Sequence, residues 1–295
     1  MPQGSFSKRR NGNRKDMSNQ DRLLGRRAFL RACGLNAAGL GLLFGGAAQG
    51  QQPQRAYGPS PGGASDDYDV LIARVKHETS DGDVPCPWNT FPGGERHLLE
   101  EFSSAVRCKV KLEPSVHGYN PMRGRNDQFN GVVDFTNLDE LRKYPFLFMT
   151  NEGRVALSKQ KVDNMREYVK EGGFLLMDDC VFNRVGDFFY QSALRILEKA
   201  FGPGSVKSIR NNHEIFHNVY DYSNRGLPCW QGQNHGAKGV FFGERIGVLL
   251  CPTDLHCAWT DRQGLWFGRT SRSGAAGYKE GIEMGVNILM YALSH

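Results

Sequence analysis

The chain has 295 residues, with 37 Lys and Arg against 31 Asp and Glu, a formal net charge of +6. Nine of those 37 basic side chains and two of the 31 acids fall in residues 1–48, which leaves 28 basic and 29 acidic residues beyond them. That balance excludes a basic groove for nucleic acid in the folded part, and the length left suits one α/β domain.

Residues 1–48 read as an export signal. Gly25-Arg26-Arg27-Ala28-Phe29-Leu30-Arg31 resembles a twin-arginine motif, and an apolar, Gly/Ala-rich run follows from Ala32 to Ala48. That run is too short and too weakly hydrophobic for a membrane span. Gly46-Ala47-Ala48 offers small residues for cleavage. The expectation is a periplasmic or secreted protein with no stable transmembrane span after cleavage, and the twin-arginine export machinery is its expected partner. That route carries folded proteins, so it permits a cofactor loaded beforehand. Residues 49–67 (GQQPQRAYGPSPGGASDD and the preceding Gln) are polar and Pro/Gly-rich and read as a flexible linker. Six cysteines remain beyond the signal, enough for as many as three disulfides in an oxidising compartment.

The domain occupies residues 68–295. Tyr68 to Lys76 has the β-branched, apolar content of a strand. Gly93 to Val106 sets Leu98, Leu99, Phe102 and Val106 on one helical face. Cys108 to Leu112 alternates like a strand, residues 114–131 read as a polar loop, and Leu138 to Lys143 as a helical turn. Phe146 to Thr150 is a continuous apolar strand. Ser158 caps a helix that Gly172 ends, and Phe174 to Met177 is the next buried strand, closed by Asp178-Asp179-Cys180. Asp187 to Phe201 is helical, and Val206 to Ile209 a short strand. Gly239 to Phe242 and Arg245 to Leu250 are strands, residues 253–259 and 262–277 loops, and Glu280 to Leu293 a closing helix. The order predicts one open, mostly parallel sheet with helices on both faces.

Candidate chemistry gathers at strand ends. Asp178 and Asp179 could bind hydroxyls, hold a metal, or supply a proton-holding carboxyl beside a charged one. Adjacent strand residues point to opposite faces, so only one of them meets a given cleft. Cys180 is a nucleophile if its thiol is activated, and otherwise a disulfide or packing residue. Asn151-Glu152-Gly153 closes a strand with a turn whose backbone could face an anion, and Asp254 follows another strand, so these four are the ligand-binding candidates. His213 and His217 have i, i+4 spacing, and His256 lies in Asp254-Leu255-His256-Cys257. Together with Asp178, Asp179, His213 and His217, the stretch from Pro252 to Trp259, which holds Asp254, His256 and Cys257, could form a mixed O/N/S site for a divalent metal. Trp88, Trp230, Trp259 and Trp266 read as loop aromatics suited to sugar faces. No GxGxxG, P-loop, GxSxG or HExxH occurs.

Taken together, YPFLFMTNEG, LSKQKVDNMREYVKEGGFLLMDDC, HEIFHNVY, LLCPTDLHCAW and GVNILMYAL resemble the bacterial domain of unknown function family 4159. The resemblance covers Val70 to Leu293. It implies a class I glutamine amidotransferase-like, flavodoxin-like fold. In amidotransferases a Gly-x-Cys-x-Gly turn follows the corresponding strand; here the place reads Met177-Asp178-Asp179-Cys180-Val181, so glutamine hydrolysis does not carry over. The family implies no reaction. The expected function is an exported small-molecule or carbohydrate-binding or accessory module acting at the carboxyl ends of the strands. The alternatives are a hydrolase using acidic residues and histidine, with or without a metal, and a structural partner in an envelope complex.

Overall fold

A computed structural model describes residues 70, 72–80, 88–89, 93–107, 110, 116–120, 125–129, 131–181, 186–260 and 274–295. The expected signal and linker, the strand expected at Cys108 to Leu112 apart from Val110, and Trp266 lie outside the described residues.

The molecule is built on an open, seven-stranded, mostly parallel sheet flanked by helices on both faces. The strands are β1 (Ile72–Val75), β4 (Val132–Val133), β5 (Phe146–Asn151), β6 (Phe174–Asp179), β7 (Val206–Ser208), β8 (Lys238–Phe242) and β9 (Arg245–Cys251). Their spatial order is β4-β1-β5-β6-β9-β8-β7. From β4 to β9 every neighbour is parallel, while β8 and β7 add an antiparallel edge.

Period-two alternation sorts the central strands between two cores. Phe146, Phe148, Phe174, Leu176, Leu249 and Cys251 pack on one face against α1 (Gly93–Val106), α5 (Leu255–Thr260) and α6 (Gly274–Ser294). Leu147, Met149, Leu175, Met177, Val248 and Leu250 pack on the other against α3 (Lys159–Lys170) and α4 (Phe188–Phe201). The strand–helix–strand unit β5-α3-β6 forms as its sequence dictates. The Ser158 hydroxyl accepts the Lys161 N–H, and the chain leaves α3 through Gly172 at φ 104°.

Three expectations are corrected. Residues 114–131 are not all loop: β2 (Val116–Asn120) and β3 (Arg125–Phe129) form an antiparallel hairpin apart from the main sheet. Their polar sequence lacks the apolar alternation that announces a half-buried strand. Residues 255–260 are the helix α5, and α6 begins at Gly274, inside the stretch read as loop. α5 and α6 pack tightly: a Cβ on Gly281 would stand 2.4 Å from the Cβ of Ala258. Glycine there is a packing requirement.

The topology fixes where the strand ends go. β1 leads into α1 on one face, and β5 leads into α3 on the opposite face. The chain therefore reverses its sense of winding between β1 and β5, and open α/β sheets bind ligands at the carboxyl side of such a reversal.

Candidate functional site at the carboxyl edge of the sheet

β1, β5, β6 and β9 deliver their carboxyl ends to one edge, and each end turns polar. In the pairing register Thr150 lies beside Asp178 and Asp178 beside Cys251, with Asn151 beside Asp179 one residue on. Asn151, Asp178, Asp179, Asp254 and His256 are all fully buried.

Asp178 and Asp179 face opposite sides, as strand alternation requires. Asp178 turns toward α5, where its two oxygens accept the N–H groups of Leu255 (3.1 Å) and His256 (2.8 Å). It caps that helix from another strand. Asp179 turns toward α4. Its Oδ2 accepts the Tyr190 N–H at 3.2 Å, and its Oδ1 has no hydrogen-bond partner. Burial pushes both carboxyls well above the usual range, and neighbouring Asp254 adds to the effect on each. Burial likewise pushes Asp254 up to about 6.

Asp254 takes the left-handed conformation, φ 56°, which turns the chain from β9 into α5. Aspartate tolerates that region better than most side chains. Its carboxylate accepts the Gln231 amide and lies beside Cys257. Cys257 and Cys180 have their sulfurs 3.8 Å apart. None of the four described cysteines, Cys180, Cys229, Cys251 and Cys257, is in a disulfide.

The metal candidates divide. Among the described residues, the group of side chains placed to share an ion is Cys180, Asp254 and Cys257; it contains none of the three histidines. His213 and His217 flank a 3-10 turn, Glu214–Phe216, instead of sharing an α-helical face. His213 Nδ1 accepts the Ile215 N–H, and its ring stands edge-on to Tyr291. His217 Nε2 lies 3.2 Å from the Asn212 carbonyl. His256 Nε2 lies 2.9 Å from the Arg74 guanidinium. Arginine only donates, so this nitrogen accepts and the ring proton sits on Nδ1.

Arg74 is a fully buried cation on β1. It pairs with Glu95 of α1 at 2.5 Å, donates to the Trp88 carbonyl at 3.1 Å, and lies over the Phe148 ring. Burial raises the Glu95 carboxyl while Arg74 opposes the rise. This polar knot sits where β-alternation would put an apolar residue, and it was not foreseen. A charged residue inside the otherwise apolar run Val70 to Val75 is the signal in the sequence.

Asn151, Glu152 and Gly153 are buried at the β1/β5 reversal. The Asn151 amide and the Thr79 hydroxyl bond each other at 3.0–3.2 Å, and Asn151 also donates to the Gly153 carbonyl at 3.1 Å. Ser80 N–H donates to the Arg154 carbonyl at 2.8 Å, so residues 79–80 are tied across this turn. The tryptophan expectation is corrected for two residues. Trp230 and Trp259 are core side chains, Trp259 donating to the Gly281 carbonyl. Large aromatics between glycines look alike in loops and in cores. A cavity of about 410 Å³ lies at the opposite edge, lined by Arg166, Lys170, Phe201, Lys207 and Phe242. It sits at the carboxyl ends of α3 and α4, where Arg166 and Lys170 complement the helix dipole.

The matching protein family is Domain of unknown function (DUF4159), whose model covers residues 71–293. The chain belongs to this family. A search of the curated proteins finds no match. No helix among the described residues is long and apolar enough to cross a membrane.

One residue of this edge makes stability depend on pH. His77, just past β1, donates from Nε2 to the Thr150 carbonyl at 3.0 Å and stacks on Phe189. Burial lowers its pKa from 6.5 to about 4. The folded chain holds the ring neutral while the unfolded chain protonates it near 6.5. Its contribution is therefore complete above about pH 6.5 and is lost as pH falls toward 4. Between pH 7 and 5 the wild type should lose about 2 kcal/mol more unfolding free energy than His77→Gln. Urea titrations at the two pH values measure this, and equal losses in both proteins would contradict it.

Proposed function

We propose that the protein is exported and that its family domain binds a small, hydroxyl-rich ligand at the carboxyl edge of the sheet. The observation that carries this reading is the set of three buried carboxyls, Asp178, Asp179 and Asp254, gathered at the ends of β6 and β9. Burying carboxyls destabilises a fold. Perturbed groups gathered at one strand edge are candidates for a functional site. Asp178 has a structural role in capping α5. Asp179 has only one backbone partner and an oxygen left over, which suits a ligand hydroxyl.

A second reading, acid-catalysed hydrolysis, is favoured by one feature of the same residue. Burial, with Asp254 nearby, raises the Asp179 carboxyl's hold on its proton, the direction in which a general acid is tuned. The amidotransferase-like fold implied by the family resemblance belongs to this proposal as well. It is supported by the parallel β5-α3-β6 unit and by the place of Cys180 directly after β6. The acidic pair standing where glycine flanks the amidotransferase nucleophile argues against glutamine hydrolysis.

Asp179→Asn copies the protonated side chain and should leave the melting temperature within about 3 °C of the wild type. Screened against sugars and sugar derivatives, the wild type should show a ligand-induced rise that the variant lacks. A rise that survives the substitution unchanged, or no rise with any member of the set, would contradict the reading.

Export is tested separately. Fractionation of cells with a twin-arginine system should find the chain in the periplasm, and Arg26→Lys with Arg27→Lys should hold it in the cytoplasm. A double variant that is still exported would overturn this part.

A further inference from the structure

The junction of β6 with α5 holds two cysteines that the ligand reading does not use, beside Asp254, which it does. Cys180 follows β6 directly, and Asp254 and Cys257 stand at the start of α5. Their ligand atoms all lie within 4.8 Å of one another, and all three side chains are buried. We infer that Cys180, Asp254 and Cys257 form a three-ligand site for a divalent cation of the zinc class, with a fourth position left for water or a ligand.

The distances fit such an ion. Two thiolates bound tetrahedrally at about 2.3 Å stand about 3.8 Å apart. The Cys180 and Cys257 sulfurs are 3.8 Å apart. The donor set is selective too: two soft sulfurs with one carboxylate suit zinc, whereas magnesium and calcium take oxygen alone. Three protein ligands with one open place is the arrangement of reactive zinc sites, while structural sites close all four.

The surroundings hold the ligands in place. The Gln231 amide donates to Asp254 Oδ2, and such outer partners orient metal-bound carboxylates. The Asp178 carboxyl fixes the backbone of Leu255 and His256, which lie between Asp254 and Cys257. Trp230 and Ala258 complete an apolar wall around the two sulfurs. Two thiolates and a carboxylate cannot all stay charged in such a place without a cation, so binding the ion releases their protons.

This inference shares the edge with the ligand reading but does not depend on it. Metal content is measured without any ligand, and either can fail alone. The full chain, purified reduced and without chelator, is incubated with zinc, dialysed and analysed for metal. About one equivalent of zinc is expected, and cobalt in its place should give a thiolate-to-cobalt charge-transfer band. Cys180→Ser and Cys257→Ser, with far-ultraviolet dichroism matching the wild type, should each lower retained zinc at least about fivefold. Cys251→Ala, which removes a sulfur from the apolar core, should keep it. Should a serine variant fail to fold, the cobalt spectrum of the wild type decides the matter. A folded wild type without zinc or the cobalt band, zinc retained by both serine variants, or a Cys180–Cys257 disulfide in the protein as purified would overturn the assignment.

Discussion

The arrangement at the working edge depends on one carboxylate. Asp178 ends β6 and accepts the first two free N–H groups of α5, at 3.1 and 2.8 Å. A helix of six residues has little stability of its own, since forming its first turn costs more entropy than one hydrogen bond returns. A hydrogen bond of this kind contributes about 0.5–1.5 kcal/mol net, and a buried N–H left without a partner costs about 1–3 kcal/mol, enough together to decide whether so short a helix forms. Because the cap comes from β6, α5 is fixed relative to the sheet as well as folded. That is what carries Asp254 and Cys257 to Cys180.

The rest of the edge is braced in the same manner, by polar links between elements far apart in sequence. Arg74 ties β1 to Glu95 of α1, to the Trp88 carbonyl and to His256 of α5. His77 ties the end of β1 to Thr150 of β5, and Thr79 to Asn151. Removing one partner of a buried pair such as Arg74 and Glu95 leaves a charge uncompensated and typically costs about 3–5 kcal/mol. Such links make the edge rigid, which a binding or catalytic site requires. Its polar groups face inward toward strand ends and helix starts, while the two apolar cores do the work of holding the sheet between its helices.

Where local pattern governs structure, the sequence was readable. α1 was recognised from Leu98, Leu99 and Phe102, β5-α3-β6 from its apolar runs and Ser158, and the mostly parallel sheet from the alternation of strands and helices. What escaped reading depends on partners distant in the chain. Residues 255–260 looked like a loop because their cap, Asp178, is 77 residues away. The first turns of α6 looked like loop because Gly274, Ala275, Ala276 and Gly277 carry no apolar periodicity and two of them are poor helix formers. The polar hairpin of β2 and β3 carries no apolar alternation to announce it.

The site was legible in its parts. The sequence marks Asp178, Asp179, Cys180, Asp254 and His256, but their assortment follows from side-chain direction at strand ends. A period of two separates Asp178 from Asp179, and the turn at Asp254 sends His256 to Arg74 and Cys257 to Cys180. The i, i+4 spacing of His213 and His217 suggested a shared metal, and a 3-10 turn removes that geometry. Spacing predicts convergence only where the element type is known.

The decisive question is whether Asp178 and α5 bring the two sulfurs and a carboxylate to one ion. X-ray absorption at the zinc edge of the zinc-loaded chain reads this directly. Two sulfur scatterers at about 2.3 Å with oxygen at about 2.0–2.2 Å are predicted. A first shell of oxygen and nitrogen without sulfur would contradict it.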